Sequence, residues 1–228
     1  MIKQELALLI DHTMLNPNKT RKDYDKLVEE AEDYRFYSVM VPPYWVDYVY
    51  TRLLHAPVKV GQVVGFPLGY NSPEAKLAEV QKRVDEIDMV MNISAFLDGS
   101  YHKVEDEINL VKEAYPEKVL KIIISTPHLT DRQIADAARL VSETKAEWIK
   151  TCTGWETRGV TPHDLFIINH YKRDDLKVKA SGGIRQIDVV EELINHGAER
   201  IGTSSGVDIM KQLTDRDNPK SPTQEGEK

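Results

Sequence analysis

Glu147-Trp148-Ile149-Lys150-Thr151-Cys152-Thr153-Gly154 reads as a buried strand with a lysine inside it, closed at once by a small polar turn. Lysine is almost never fully buried unless something pairs with it or uses it. A second stretch, Lys177-Val178-Lys179-Ala180-Ser181-Gly182-Gly183-Ile184-Arg185, has the same plan: a lysine near a strand end, then paired glycines and an arginine. Between the two, Pro162 to His170 reads as a helix. Strand, helix, strand is the unit from which parallel sheets are built.

The same alternation extends outward through the chain. Leu6 to Ile10 is a short apolar run ending in Asp11-His12-Thr13, and Thr20 to Asp33 is helical in spacing with Thr20 as a cap. Phe36 to Val41 is a strand stopped by Pro42-Pro43, and Tyr44 to Leu54 is an amphipathic helix. Val58 to Val64 is a strand closed by Gly65-Phe66-Pro67-Leu68-Gly69, followed by a helix over Pro73 to Val84. The next pairs are Glu86 to Ile93 with Tyr101 to Ala114, and Val119 to Ile124 with Asp131 to Glu143. Strands then follow at Ala146 to Thr151 and Leu176 to Ala180, with a helix over Ile187 to Asn195. Gly197 to Gly202 leads into a last short strand, and Ser204 to Leu213 is the last helix. Eight strand-like runs, each followed by a helix, favour an α/β fold of one kind: a single (β/α)8 TIM barrel over residues 1–213. The rival is an open doubly wound sheet, whose G-x-G-x-x-G fingerprint is absent. Residues 214–228 are polar and rich in charge, and read as a disordered tail.

Bulk composition limits the function. The chain has 228 residues, 41% hydrophobic and 29% charged, which is ordinary for a globular protein. A net charge of -7 argues against nucleic acid or an acidic membrane surface as the main partner. It leaves room for a small phosphorylated ligand, which needs only a local group of donors. One cysteine, Cys152, excludes an internal disulfide and a cysteine-rich zinc site. Met1 to Asp11 does not read as a signal peptide, and no run approaches a membrane span, so the expected setting is cytoplasmic.

Strand phase then gathers the polar residues. Alternate strand residues face the barrel interior, and active sites lie at the strands' C-terminal ends. In the fourth strand Ile87, Met89 and Met91 meet the helices, while Asp88, Val90 and Asn92 share the other face. Lys121 lies opposite Leu120 and Ile122; Trp148, Lys150 and Cys152 line up; Lys179 and Ser181 oppose Val178 and Ala180; Asp11 and Thr13 share a face. Two carboxylates, Asp11 and Asp88, and three lysines, Lys121, Lys150 and Lys179, therefore point into one barrel mouth. Solvated strand ends or buried ion pairs would explain any one of them. Five on inward phase in separate strands suggest a site, because buried ion pairs are costly to desolvate.

This set permits amine chemistry. A lysine attacks a carbonyl only when neutral, and burial and a neighbouring cation both lower its pKa. Lys179 would be that cation for Lys150, and Asp88 could shuttle protons as a carbinolamine forms and collapses. A protonated Schiff base is an electron sink, so an adjacent C–C bond can break or form with no metal and no cofactor. The seven histidines show no metal-ligand spacing. Glycines after the last strands, Gly182-Gly183-Ile184-Arg185 and Gly202-Thr203-Ser204-Ser205, suit a phosphate. Ser204 and Ser205 would lie at a helix N-terminus, which favours an anion.

Five motifs carry a resemblance to a known family. They are Asp11-His12-Thr13-Met14-Leu15, Val64-Gly65-Phe66-Pro67-Leu68-Gly69, Glu86-Ile87-Asp88-Met89-Val90, Ile149-Lys150-Thr151-Cys152-Thr153-Gly154 and Lys179-Ala180-Ser181-Gly182-Gly183-Ile184-Arg185. The chain resembles the deoxyribose-phosphate aldolases, class I (Schiff-base) aldolases on a TIM barrel. The resemblance implies that Lys150 forms the Schiff base, that Lys179 lowers its pKa, and that Asp88 relays protons through a water. It implies Asp11 and Lys121 as a supporting polar network. It implies Gly154, Gly182, Gly183, Arg185, Gly202, Ser204 and Ser205 as the phosphate region. The implied reaction is reversible cleavage of 2-deoxyribose 5-phosphate to glyceraldehyde 3-phosphate and acetaldehyde, by a homo-oligomer that needs no cofactor. The chain departs from the family pattern at Ser125, where a glutamate is usual, and at Cys152, where a serine is usual. It also departs at Met40, often a cysteine, and at its end, which carries no tyrosine. A related aldolase with another aldehyde pair, and a phosphate-binding barrel with little catalysis, are the alternative readings.

Overall fold

The computed structural model describes residues 2–217. Eight parallel strands close on themselves in sequence order: β1 (Ile10–Thr13), β2 (Ser38–Val41), β3 (Lys59–Val64), β4 (Glu86–Val90), β5 (Val119–Ile123), β6 (Trp148–Lys150), β7 (Lys177–Ser181) and β8 (Arg200–Thr203). β1 pairs with both β2 and β8, so the sheet has no edge, and the open-sheet alternative falls. The helices are α1 (Lys3–Ala7), α2 (Arg21–Tyr34), α3 (Val46–Arg52), α4 (Pro73–Glu79), α5 (Ile93–Leu97), α6 (Tyr101–Ala114), α7 (Asp131–Glu143), α8 (Pro162–Tyr171), α9 (Ile187–Asn195) and α10 (Gly206–Asp217). Short 3-10 turns at Pro43–Trp45 and Thr126–His128 follow β2 and β5.

The helices start where their caps stand. Thr130 and Gln133 form a capping box on α7, and Thr161 with Asp164 does the same for α8, where Pro162 fills the first position. Their apolar faces bury Ile134, Ala138 and Val141 from α7, and Ile187, Val190 and Leu193 from α9, against the outward strand residues Ile122, Ile149, Val178 and Ile201. This annular layer is the main core. Inside the barrel Met40 occupies the space left by Gly61; a Cβ there would come within 2.4 Å of Met40 Cε.

Several boundaries differ from expectation. The helix expected over Pro73 to Val84 stops at Glu79, and the strand expected over Glu86 to Ile93 stops at Val90, where Asn92 caps the short helix α5 through a bond from the Ala95 N–H. The apolar run Leu6 to Ile10 is split: Leu6 and Ala7 end α1, and only Ile10 enters β1. The last helix runs to Asp217, so the expected boundary after Leu213 falls inside a helix. Ile209, Met210 and Leu213 bury one face of it, and no glycine or proline interrupts the four residues that follow. Residues 218–228 of the expected tail lie outside the described residues.

Candidate active site

The strand phase read from the sequence is the one observed. Asp11, Asp88, Lys121, Lys150 and Lys179 are all buried in the barrel interior. Strand register brings them side by side: Asp88 is level with Lys121, and Lys150 with Lys179. Lys150 Nζ donates to Asp88 Oδ2 at 2.8 Å, and Lys179 Nζ donates to the same oxygen at 2.7 Å. Lys179 Nζ also donates to Asp11 Oδ2. Lys121 Nζ lies 3.1 Å from Asp88 Oδ1 and 4.0 Å from Asp11 Oδ2. Room for the Lys179 stem comes from Gly202 on β8, where a Cβ would approach Lys179 Cε to 2.9 Å.

Three further side chains belong to this network and were not singled out from the sequence. Glu86 Oε2 accepts from Lys121 Nζ at 2.5 Å. Arg200 Nη1 donates to Asp11 Oδ1 at 3.0 Å, and Ser38 Oγ donates to the same atom at 2.7 Å. The signal for two of them was present: Glu86 is two residues before Asp88 and Arg200 two before Gly202, both on inward phase. Ser38 carries no such signal, because a small hydroxyl in a strand has no distinguishing pattern.

The charges shift one another. Burial pulls Lys150 down, Lys179 and Lys121 reinforce that, and Asp88 opposes it, leaving the amine at about 8. Burial works against ionised Asp11 and Asp88, but the cations around them prevail and hold both carboxyls well below the usual carboxylate range. Burial also works against charged Lys121, and there Asp88, Glu86 and Asp11 prevail, so its pKa is raised. Of these groups, Lys150 thus has its proton within reach of neutral pH.

Lys150 opens into a cavity of about 400 Å³ at the C-terminal end of the strands. Its walls include Gly154, Gly182, Gly183, Arg185, Gly202 and Ser204 from the expected phosphate region, together with Lys19 and Trp155. Gly182 adopts φ +97°, and a Cβ there would meet Cys152 Cβ at 2.9 Å. Ser205 immediately precedes α10, and its N–H donates to Thr203 Oγ1 at 2.9 Å. The Gly154 N–H is directed to Glu156, whose carboxylate accepts from Thr153 and Gly154 at 2.9 Å each. Cys152 is buried beside Thr126, and burial pushes its thiol up to about 12. Hydrogen bonds tie the strand ends around Lys150: Thr151 Oγ1 to Ser181 O at 3.0 Å, and Ser181 Oγ to Cys152 O at 2.6 Å.

A closed (β/α)8 barrel with a buried, easily neutralised lysine at its C-terminal mouth, next to a second lysine, belongs to the class of barrels equipped for amine chemistry on carbonyls. Comparison with known proteins narrows this. Over 216 residues the sequence is 42% identical to the deoxyribose-phosphate aldolase of Mesomycoplasma hyopneumoniae strain J, covering 92% of this chain and 97% of that one. Over 219 residues it is 44% identical to that of Caldicellulosiruptor saccharolyticus, covering 93% of this chain and 100% of that one. Among solved structures, QR15, described as an aldolase, superposes with a TM-score of 0.89 at 36% identity, over 93% of this chain and 97% of that one. The tetrameric deoxyribose phosphate aldolase of Aeropyrum pernix gives a TM-score of 0.87 at 31% identity, over 93% and 92% of the two chains. No family model matches the sequence. The chain belongs to the deoxyribose-phosphate aldolase family.

Proposed function

We propose that this protein reversibly cleaves 2-deoxyribose 5-phosphate to glyceraldehyde 3-phosphate and acetaldehyde, with Lys150 as the nucleophile. The observation that carries the assignment is the environment of Lys150: buried, bonded to Asp88 at 2.8 Å, open to the cavity, and lowered to about 8. The neutral amine attacks the aldehyde carbon of the open-chain sugar, and the carbinolamine loses water to an iminium. The iminium accepts the electron pair of the bond between the second and third carbons as the third-carbon hydroxyl loses its proton. Glyceraldehyde 3-phosphate departs, leaving an enamine. Protonation of the enamine and hydrolysis release acetaldehyde and restore the amine. Asp88 serves as proton relay, supported by its Oδ2 being the acceptor shared by Lys150 and Lys179. Lys179 keeps Lys150 short of protons, and Asp11 and Lys121 hold Lys179 and Asp88 in place.

The phosphate falls to the far wall of the cavity, at Gly182, Gly183, Ser204 and the start of α10, with Arg185 and Lys19 on the rim. The resemblance adds Gly154 and Gly202, which also line the cavity, and Ser205, which lies behind the lining with its N–H bonded to Thr203 Oγ1. The protein is a cytoplasmic homo-oligomer that acts on a small phosphorylated sugar and binds neither nucleic acid nor membrane. Support comes from the net charge of -7, from the tetramer described for the Aeropyrum pernix relative, and from the free buried thiol. Among the described residues no helix is long and apolar enough to cross a membrane.

Incubation with acetaldehyde and borohydride, followed by peptide mapping, tests the nucleophile. A permanent mass gain at Lys150, lost in Lys150→Ala, is expected; no adduct at saturating aldehyde refutes the assignment. Turnover of 2-deoxyribose 5-phosphate against the unphosphorylated sugar tests the phosphate wall, and equal efficiency on both refutes it.

A further inference from the structure

Beneath the reacting lysine, at the end of the barrel away from the cavity, two charged side chains have no part in the chemistry described above. Glu86 enters from β4 and is buried. Arg200 enters from β8 with 8% of its side chain exposed. Its guanidinium lies over the Tyr37 ring, 3.4 Å from the centroid, and 5.2 Å from that of Trp148. Its Nε is buried without a hydrogen-bond partner. Stability alone is a poor reason for such groups, because apolar residues of similar volume commonly serve as well or better.

Their charges suggest another reason. Lys121, Lys179 and Arg200 are three buried cations, and Asp11, Glu86 and Asp88 are three buried anions. These six cancel, and Lys150 is the seventh charged group of the cluster. We propose that Glu86 and Arg200 are positioning residues for the aldol reaction: fixed opposite charges at the base of the network that complete its neutrality, so that a proton on Lys150 is the one unmatched charge. This deepens the reading of Lys150 as nucleophile and depends on it.

The contacts run in an alternating series. Arg200 holds Asp11, Asp11 holds Lys179, Lys179 shares Asp88 with Lys150, and Glu86 holds Lys121, which faces Asp88. Without Arg200 the six become five with one negative charge in excess, and a protonated Lys150 would restore balance. Without Glu86 the excess is positive, and a protonated Lys150 would worsen it. In a water-poor interior such an imbalance acts over several ångströms with little screening. The groups facing Lys150 from other strands are Asp11, Asp88, Lys121 and Lys179, and those across the cavity are His12, Lys19, Glu30 and Arg185. None of them is substituted in either neutralising variant, so the two variants differ only in which charge is removed from the base of the network.

The test uses the full chain and the variants Glu86→Gln, Arg200→Met and Arg200→Lys. The readout is the pH dependence of acetaldehyde adduct formation at Lys150, trapped with cyanoborohydride and mapped by peptide mass. The midpoint should rise by about one pH unit in Arg200→Met and fall by about one in Glu86→Gln, the scale of a charge roughly 12 Å away at an effective dielectric near 20. It should stay in place in Arg200→Lys, which restores the charge but not the shape. Unmoved midpoints, or shifts of the same sign in both neutralising variants, overturn the proposal. Should Arg200→Met not fold, Glu86→Gln decides alone, and a midpoint that does not fall overturns it. A normal adduct with unmoved midpoints refutes only the charge balance; no adduct at Lys150 in the unaltered protein refutes the nucleophile and the proposal with it.

Discussion

Replacing Lys179 by methionine should disable the enzyme at neutral pH and largely restore it in alkali. Lys150 and Lys179 donate to one oxygen of Asp88 at 2.8 and 2.7 Å. Their nitrogens are therefore roughly 5 Å apart, and two unit charges at that separation repel by about 3 kcal/mol at an effective dielectric near 20. That is about two pKa units on Lys150. Burial, the larger cause of its depression to about 8, is left intact. In Lys179→Met the amine should titrate near 10, and its neutral fraction at pH 7 should drop from about a tenth to about a thousandth. kcat/KM at pH 7 should fall about 100-fold, and the acid limb of its pH profile should move up by about two units. Initial rates of 2-deoxyribose 5-phosphate cleavage across roughly pH 6 to 10.5 measure this, with circular dichroism confirming the fold. An acid limb that stays where it is, with activity lost equally at every pH, refutes the cation-neighbour role and leaves Lys179 a direct proton carrier instead.

Other consequences follow from the same geometry. Burial and the neighbouring cations hold Lys150 at about 8 in the folded chain against about 10.4 for a free lysine, so between those limits the unfolded chain holds more protons and stability rises with pH. Below about 8 the full cost of that buried charge is present, on the order of 3 kcal/mol. Lys150→Met should therefore be at least as stable as the parent at pH 6 in urea denaturation, though inactive; a clear loss of stability refutes the surplus charge. Away from the site, Lys76 donates to both oxygens of Glu107, at 2.9 and 3.0 Å, and both residues are buried. Glu107→Ala leaves Lys76 unpaired and should cost about 3–5 kcal/mol, much of it recovered in Lys76→Met/Glu107→Leu. Equal losses in the single and double variants would contradict this. Cys152, buried with its thiol raised to about 12, should resist alkylation by iodoacetamide at pH 8 until the chain is unfolded. Rapid labelling of the native protein would mean that the strand ends open.

Hydrophobic period and turn residues were enough for the order of the eight strands and their main helices, but not for the short helices α1 and α5, which are too brief to show a period. Three of the helix spans, Tyr101 to Ala114, Asp131 to Glu143 and Ile187 to Asn195, coincide with the observed ones because apolar spacing and their flanking residues agree there. Inward phase at Asp11, Asp88, Lys121, Lys150 and Lys179 was legible for the same local reason: a strand's side chains alternate with period two whatever its neighbours are. The helix boundaries at Leu213 and in Leu6 to Ile10 were not, because burial against other elements decides how far a helix runs. Barrel closure, the register that sets Lys150 beside Lys179, and the sharing of Asp88 Oδ2 are properties of strands distant in the chain. The use of the Gly154 N–H by Glu156 is local, two residues along one loop, but it depends on a loop conformation that residue types alone do not specify. The sequence by itself put three lysines and two carboxylates on inward phase. Only the tertiary structure fixed the distances among them and added Glu86 and Arg200 to the cluster, and electrostatic energy depends on those distances rather than on spacing along the chain.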